Sequence, residues 1–127
     1  MHPVYVHIKK ELSPFYAEEE ASAMAKWISS DILHLSTLEL YTGKDMNFST
    51  KEWEELEDIL RRLKQREPLQ YILQEASFCG MSFHVEQGVL IPRPETEELV
   101  EWIVSDYREA GQVRILDIGT GSGCIPV

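Results

Sequence analysis

The sequence predicts a three-part architecture. An N-terminal α-helical bundle over residues 1–75 is followed by a β-hairpin linker over 76–94 and by the start of an α/β domain with a Rossmann-like, doubly wound sheet over 95–127. Three observations predict it: apolar residues at helical spacing in the first part, short strand-like segments in the second, and a continuous apolar segment at 113–118 that ends in a glycine-rich loop.

The N-terminal part is predicted to contain several amphipathic helices. The first ends near Ser13-Pro14, because proline disfavours the helical conformation of the residue before it. The second follows three glutamates, which suit the positive end of a helix dipole, and has apolar residues on one face from Ala21 to Ile32. A short third helix begins at Thr37 and stops at Gly43.

A capping box marks the next helix. Ser49 and Glu52 have the spacing at which the side chain of each accepts from the backbone N–H of the other. The basic run at 61–66 suits the carbonyl end of this helix, and we interpret it as a solvated helix end rather than a docking patch. Pro68 then opens another short helix. The predicted core stripe of the capped helix consists of Trp53, Leu56, Leu60 and Leu63.

The linker is predicted to be a β-hairpin. Residues 78–85 and 88–91 read as two short strands around the polar pair Glu86-Gln87. Pro92-Arg93-Pro94 then fixes an extended passage.

A helix and a buried strand are predicted after the linker. The helix starts in a cluster of glutamates and ends at Gly111, and the apolar run at 113–118 is typical of a strand that is buried on both faces of a parallel sheet. The predicted buried face of the helix carries Leu99, Val100, Ile103, Val104 and Tyr107.

Composition restricts the function classes. The 127-residue chain has 22 acidic and 12 basic residues and a net charge of −10, so it repels phosphate backbones and suits a basic protein partner better than nucleic acid. An excess of acidic residues that only serves solubility is the alternative. Cys79 and Cys124 are too few for a disulfide framework, which predicts a reduced, cytoplasmic setting. No apolar run predicts a membrane span, and the four histidines have no metal-ligand spacing.

The glycine loop carries the chemistry. A phosphate-binding Walker loop needs a lysine that is absent, and a dinucleotide fingerprint needs glycine where Cys124 stands. An acid two residues before a Gly-x-Gly-x-Gly run instead suits the cationic groups of S-adenosylmethionine, although a tight turn without a ligand is the alternative. The predicted cofactor-binding residues are Asp117, Gly119, Thr120, Gly121, Ser122 and Gly123.

Four further segments stand out in the chain: Arg-Glu-Pro-Leu-Gln-Tyr-Ile-Leu at 66–73, Phe-Cys-Gly-Met-Ser-Phe at 78–83, Val-Leu-Ile-Pro-Arg-Pro-Glu-Thr-Glu at 89–97, and Ile-Leu-Asp-Ile-Gly-Thr-Gly-Ser-Gly at 115–123. In this order they resemble the motifs of the HemK family of protein-(glutamine-N5) methyltransferases. Residues 1–65 agree with the family in helical character but carry no matching motif.

The resemblance implies a class I methyltransferase that uses S-adenosylmethionine. In this family a helical domain docks a peptide chain release factor, and the methyl group goes to the glutamine amide of the factor's Gly-Gly-Gln motif. The family's Asn-Pro-Pro-Tyr catalytic motif is absent here and is expected beyond Val127, so we expect an inactive N-terminal part of the enzyme.

Two residues of the third segment are candidates for lining the pocket. The family places this segment at the mouth of the site, which implicates Arg93 and Thr96. An equally good interpretation is that Pro92 and Pro94 fix the linker while Thr96 serves the helix start.

Two other functions remain open at the level of sequence. Adenine-N6 DNA methyltransferases share the Asn-Pro-Pro-Tyr chemistry, but the acidic charge and the Ile-Pro-Arg-Pro sequence argue against them. A stand-alone docking module without catalysis is the non-enzymatic alternative.

Overall fold

The computed structural model describes residues 1–43 and 47–127. The chain divides into two compact units, Met1–Leu69 and Gln70–Val127. In chain order the elements are α1 (Pro3–Leu12), α2 (Glu18–Asp31), α3 (Thr37–Thr42), α4 (Thr50–Lys64), α5 (Leu69–Leu73), β1 (Glu75–Phe78), β2 (Met81–His84) and α6 (Pro94–Tyr107).

The first unit is a helical bundle in which α1 packs against both α2 and α4. Helices α1, α2 and α4 each bury one apolar stripe, because side chains three and four positions apart share a face. The bundle and the predicted helix boundaries are thereby confirmed. Its buried apolar side chains are Val4, Tyr5, Ile8, Leu12, Ala21, Met24, Ala25, Ile28, Leu33, Leu35, Leu40, Leu56, Ile59, Leu60, Leu63 and Leu69.

Capping boxes begin two of the helices. At α4 the Ser49 N–H donates to a Glu52 carboxylate oxygen at 2.7 Å, and the Glu52 N–H donates to the Ser49 hydroxyl at 3.2 Å, as predicted. Ser36 and Glu39 form the same arrangement at the start of α3. Helix α3 ends at Gly43, whose φ of +64° lies in the left-handed region that glycine adopts without strain.

Helix α4 ends in a Schellman motif that has arginine where glycine is usual. The Arg66 N–H donates to the Leu63 carbonyl at 2.9 Å, and the Glu67 N–H donates to the Arg62 carbonyl at 3.2 Å. Arg66 consequently has a φ of +66°, which costs a residue with a side chain about 1 kcal/mol. Its guanidinium carbon lies 4.9 Å from the centre of the Tyr16 ring, a cation–π contact of about the same magnitude that offsets this strain.

The prediction that Trp53 belongs to the core stripe of α4 is wrong. Leu56, Leu60 and Leu63 are each 1% exposed, whereas Trp53 is 39% exposed. Its ring meets Phe48 and His7 edge-on, with centroids 6.0 and 6.1 Å away. Trp53 stands in the first turn of α4, where these two rings cover it only in part.

The predicted hairpin exists, but with a different turn. The strands are β1 and β2, paired antiparallel with Phe78 opposite Met81, so the turn is Cys79-Gly80 rather than Glu86-Gln87. Both turn residues have positive φ, +49° and +74°, as a type I′ hairpin turn requires. Glu86 does begin a turn, since its carbonyl accepts from the Val89 N–H at 3.0 Å, but no second ladder follows among the described residues.

Three expectations for the last part of the chain are not met. Helix α6 forms but ends at Tyr107 rather than at Gly111. None of its residues, all of which the structure describes, is buried. The segment 113–118 is not a strand, and Leu116 and Ile118 are 85% and 87% exposed. A parallel strand is stable only when it pairs with neighbours, and the only sheet in the described ranges is the two-stranded hairpin. The Rossmann-like start therefore stays a prediction.

Candidate cofactor loop and its supports

The glycine loop at 119–123 takes a conformation that depends on its glycines. Gly119, Gly121 and Gly123 have φ values of +72°, +58° and +80°, all in the left-handed region. The Gly123 N–H donates to the Thr120 carbonyl at 3.0 Å and closes a turn. In the described part of the chain, a Cβ added at any of the three glycines would meet nothing within 4 Å, so backbone strain rather than crowding selects glycine here.

Asp117 is the most informative residue of the predicted set. Its carboxylate oxygen Oδ2 is buried and has no hydrogen-bond partner among the described residues. A buried, unpaired acceptor costs free energy and is relieved by a donor from a ligand. An ammonium or hydroxyl donor fits this position, which is compatible with S-adenosylmethionine. Thr120 is exposed, and Ser122 is partly buried in the same loop.

The two candidate pocket residues lie at the start of α6. Arg93 is its N-cap, with an extended backbone, and Pro94 occupies the first helical position. The Arg93 side chain lies 3.3 Å from a Glu95 carboxylate oxygen and is 74% exposed. The Thr96 N–H donates to the Arg93 carbonyl at 3.0 Å. These contacts agree with the interpretation that Thr96 serves the start of the helix. The Arg93 guanidinium remains accessible to solvent.

Glu97 is a residue whose role sequence reasoning missed. A carboxylate oxygen of Glu97 accepts from the Cys79 backbone N–H at 2.9 Å, which joins the first turn of α6 to the hairpin turn. The carboxylate also affects the neighbouring thiol. Partial desolvation raises the pKa of Cys79, and the nearby negative charges of Glu97 and Glu101 raise it further. No local pattern in the sequence indicates this contact, because Cys79 and Glu97 are eighteen positions apart.

A second hydrogen bond supports the start of the segment 89–97, to which Glu97 also belongs. The Tyr71 hydroxyl donates to the Val89 carbonyl at 2.6 Å. Tyr71 lies in α5, and Val89 opens the third of the four segments that carry the resemblance.

The basic run at the end of α4 is paired within the helical unit. Each of its four cations has a partner: Arg61 with Asp58, Arg62 with Glu67, Lys64 with Glu11, and Arg66 over the ring of Tyr16. Partnered cations favour the interpretation of a helix end over that of a docking patch.

The histidines have separate surroundings. His2 accepts from the Val4 N–H and caps α1, His7 lies 3.3 Å from Glu57, and His84 lies 3.8 Å from Glu86. Within 1–43 and 47–127, no three His, Cys, Asp or Glu side chains are grouped so that they could hold one metal ion. No helix in these same ranges has the length and apolar character needed to cross a membrane.

Comparison with known families decides the assignment. The family model described as the PrmC N-terminal domain matches residues 5–73. The chain belongs to this family. The matched range covers the helical bundle and α5, and together with relatives that match the rest of the chain it confirms the predicted resemblance.

Similar proteins extend the likeness over the whole chain. The chain is 46% identical, over all of its 127 residues, to the release factor glutamine methyltransferase of Bacteroides thetaiotaomicron. It is 39% identical over 91% of its length to that of Flavobacterium psychrophilum, and 38% identical over 96% to that of Chlorobaculum tepidum. The chain spans 45%, 42% and 44% of the lengths of these relatives.

Proposed function

We propose that the whole protein is a protein-(glutamine-N5) methyltransferase of translation termination. It transfers a methyl group from S-adenosylmethionine to the side-chain amide of the glutamine in the Gly-Gly-Gln motif of peptide chain release factors, in the cytoplasm. The carrying observation is the loop of Asp117 and Gly119–Gly123 in a chain whose relatives are named as release factor glutamine methyltransferases.

The residues of this chain would hold the cofactor. S-adenosylmethionine supplies an activated methyl group on a sulfonium centre. The buried acceptor of Asp117 would take a donor from the cofactor, and the backbone of the three loop glycines would approach it closely. Thr120 and Ser122 would add hydroxyl contacts, and Arg93 and Thr96 would line the entrance.

The helical unit would dock the release factor. The acidic surface of the chain favours a basic protein partner over nucleic acid, because opposite charge raises association rates and like charge suppresses them. The names of the relatives refer to release factors, so they do not favour DNA adenine methylation as the activity.

A chimaera tests the proposed reaction. This chain would replace the aligned first part of the Bacteroides thetaiotaomicron relative, which matches it over all 127 residues. Transfer of a radiolabelled methyl group is measured to a release factor and, in parallel, to duplex DNA. We expect labelling of the release factor alone, with loss of labelling when its Gly-Gly-Gln glutamine is replaced.

Loop variants of the chimaera assign the cofactor site. Asp117→Asn keeps the shape of the side chain but removes its charge, and we expect an approximately tenfold rise in KM for S-adenosylmethionine from the loss of one charge-assisted contact. Asp106→Asn is the matched control, because Asp106 is an exposed residue of α6. A chimaera that methylates DNA, or that ignores Asp117→Asn, would contradict the proposal.

A further inference from the structure

The segment 89–96, which carries the candidate pocket residues Arg93 and Thr96, has little apolar packing of its own. Leu90 is 77% exposed, Arg93 is exposed and none of the eight residues is buried. Hydrophobic packing therefore contributes little to holding this segment in place, and polar contacts must fix it.

Two hydrogen bonds provide that fixation from opposite ends of the segment. The Tyr71 hydroxyl donates to the Val89 carbonyl at 2.6 Å, just where the segment begins. The Glu97 carboxylate accepts from the Cys79 N–H at 2.9 Å, just where the segment ends. Both bonds lie within the unit Gln70–Val127.

The anchor of the second bond is itself well held. Cys79 and Gly80 form the two-residue turn of the hairpin. The residue before them, Phe78, is only 1% exposed. The Phe78 ring meets Phe83 edge-on with centroids 6.3 Å apart, so the turn is tied to packed aromatic residues of the hairpin. Cys79 lies in the turn, outside the paired residues of the ladder, and its N–H is satisfied by the Glu97 carboxylate.

We propose that Tyr71 and Glu97 are positioning residues that hold the segment 89–96 against α5 and the hairpin turn. Their role in catalysis rests on the proposed function, since it assumes that Arg93 and Thr96 line the site. Without the two bonds the segment samples other arrangements. The apparent dissociation constant for the substrate then rises, because it equals the intrinsic constant divided by the fraction of molecules in the competent arrangement.

Hydrogen exchange on the 127-residue chain tests the positioning itself. Tyr71→Phe removes only the donor hydroxyl, and Glu97→Ala removes the acceptor; Glu97→Gln keeps an acceptor oxygen. In Glu97→Ala we expect amide exchange at Cys79 to become about fivefold faster. In Tyr71→Phe we expect the same acceleration at residues 88–91, because each variant loses the stabilisation of one hydrogen bond. Glu97→Gln should stay within about twofold of the parent.

Matched controls separate the two bonds from general loosening. Tyr107→Phe changes an exposed tyrosine of α6, and Glu98→Ala removes the exposed carboxylate next to Glu97. Neither should alter exchange in 79–91, and amides of the helical unit should be unchanged in all variants. Unchanged exchange in both Tyr71→Phe and Glu97→Ala, or equal acceleration by the controls, would overturn the proposal.

Kinetics of the chimaera test the catalytic consequence. A displaced segment should raise KM about fivefold in Glu97→Ala while kcat stays within about twofold, and Glu97→Gln should restore KM. A fall in kcat with KM unchanged would contradict positioning of a binding segment. Failure of the proposed function is recognised independently, because the unmutated chimaera would then transfer no methyl group.

Discussion

At the scale of single residues, the contacts at the end of α4 show how charged side chains secure a helix terminus. The Arg62 guanidinium donates two hydrogen bonds to the Glu67 carboxylate, at 2.8 and 2.5 Å. These bonds hold the pKa of Glu67 below its ordinary value of 4.5, with the charge of Arg62 as a further cause. Because Glu67 also supplies the last N–H of the Schellman motif, the ion pair and the backbone cap support each other.

The lowered pKa of Glu67 gives a stability prediction with a defined pH dependence. A carboxyl group whose pKa is lower in the folded state stabilises that state fully above its unfolded pKa, near 4.5. The stabilisation is lost as pH falls through the lowered folded value. Glu67→Gln should therefore reduce the free energy of unfolding by about 1 kcal/mol at pH 7. The difference from the parent should vanish in strongly acidic solution.

Urea unfolding at several pH values, followed by far-ultraviolet circular dichroism, measures this difference. Glu54→Gln is the control, because Glu54 is an exposed carboxylate on the same helix. If the free energy of unfolding of Glu67→Gln stayed below that of the parent by the same amount in acid, the charge of Glu67 could not be the cause of the difference.

The thiol of Cys79 reports on its acidic neighbours. Its pKa is raised by partial desolvation and then by the carboxylates of Glu97 and Glu101. In a Cys124→Ser background that leaves one thiol, Glu97→Gln should lower the pKa of Cys79. Its alkylation by iodoacetamide at pH 8 should then be about two- to threefold faster. Glu98→Gln should leave the alkylation rate unchanged. If Glu97→Gln reacted at the same rate as the Cys124→Ser parent, an effect of Glu97 on the Cys79 thiol would be contradicted.

At the scale of elements, the two capping boxes should differ in their importance. Helix α4 has 15 residues and buries Leu56, Ile59, Leu60 and Leu63, whereas α3 has six residues and buries Leu40 alone. Loss of the cap on α4 therefore disturbs far more of the core.

Ser49→Ala should lower the free energy of unfolding by about 1 kcal/mol, because the Glu52 N–H loses its acceptor and the Glu52 carboxylate loses the Ser49 hydroxyl. Ser36→Ala should cost clearly less, since α3 can fray without exposing much apolar surface. Thr50→Ala is the control at the first helical position and should lie within about 0.5 kcal/mol of the parent. Equal losses for Ser36→Ala and Ser49→Ala, measured by urea unfolding, would refute this ranking.

The helices could be predicted from the sequence because their signals are local. Proline, capping residues and apolar periodicity act within one or two turns, so the ends of α1, α3 and α4 follow from neighbouring residues. The hairpin was placed wrongly because its turn uses Cys79, a residue type that rarely takes positive φ, and a contact from Glu97 eighteen positions away helps to hold it. Long-range support of this kind leaves no periodic signal.

The candidate site shows the same contrast between local signals, which can be predicted, and long-range contacts, which cannot. The three glycines of the loop at 119–123 could be predicted from their spacing, because the positive φ at each position favours glycine. Cofactor binding by this loop and by Asp117 stays a prediction. The supports of the neighbouring segment could not be identified, since Tyr71 and Glu97 act through partners far along the chain. The strand predicted at 113–118 depends on neighbouring strands, which no property of its own residues can supply.

At the scale of the whole molecule, the helical unit should be independent. Helix α1 packs against both α2 and α4, these three helices carry most of the unit's buried residues, and the ion pairs Arg62–Glu67 and Lys64–Glu11 lie within it. A protein ending at Glu75 should therefore unfold cooperatively on heating, as followed by circular dichroism. Leu60→Ala, which truncates a residue that is 1% exposed, should lower its midpoint strongly because it leaves a cavity. A gradual, non-cooperative loss of helix in the parent would refute independence.

The unit Gln70–Val127 differs because much of its apolar surface is uncovered. Trp102 is 67% exposed on α6, and Ile115, Leu116 and Ile118 are exposed in the segment that leads to the glycine loop. A cavity of about 710 Å³ between this segment and α6 is lined by Ile103, Val104, Tyr107, Arg108, Val113, Arg114, Ile115 and Leu116. Among the described residues, no strand pairs with the segment that leads to the loop, so no sheet holds the loop residues in place.

The 127-residue chain should consequently bind S-adenosylmethionine weakly and transfer no methyl group. The three glycines already have positive φ, but a loop without a fixed strand must be ordered at the moment of binding, and that ordering opposes affinity. Calorimetric titration of the chain should show little heat, whereas the chimaera should bind. Gly121→Asp, which strains a position at φ +58°, should abolish binding in the chimaera. Low-micromolar binding by the chain alone, lost in Gly121→Asp, would mean that the loop forms without neighbouring strands.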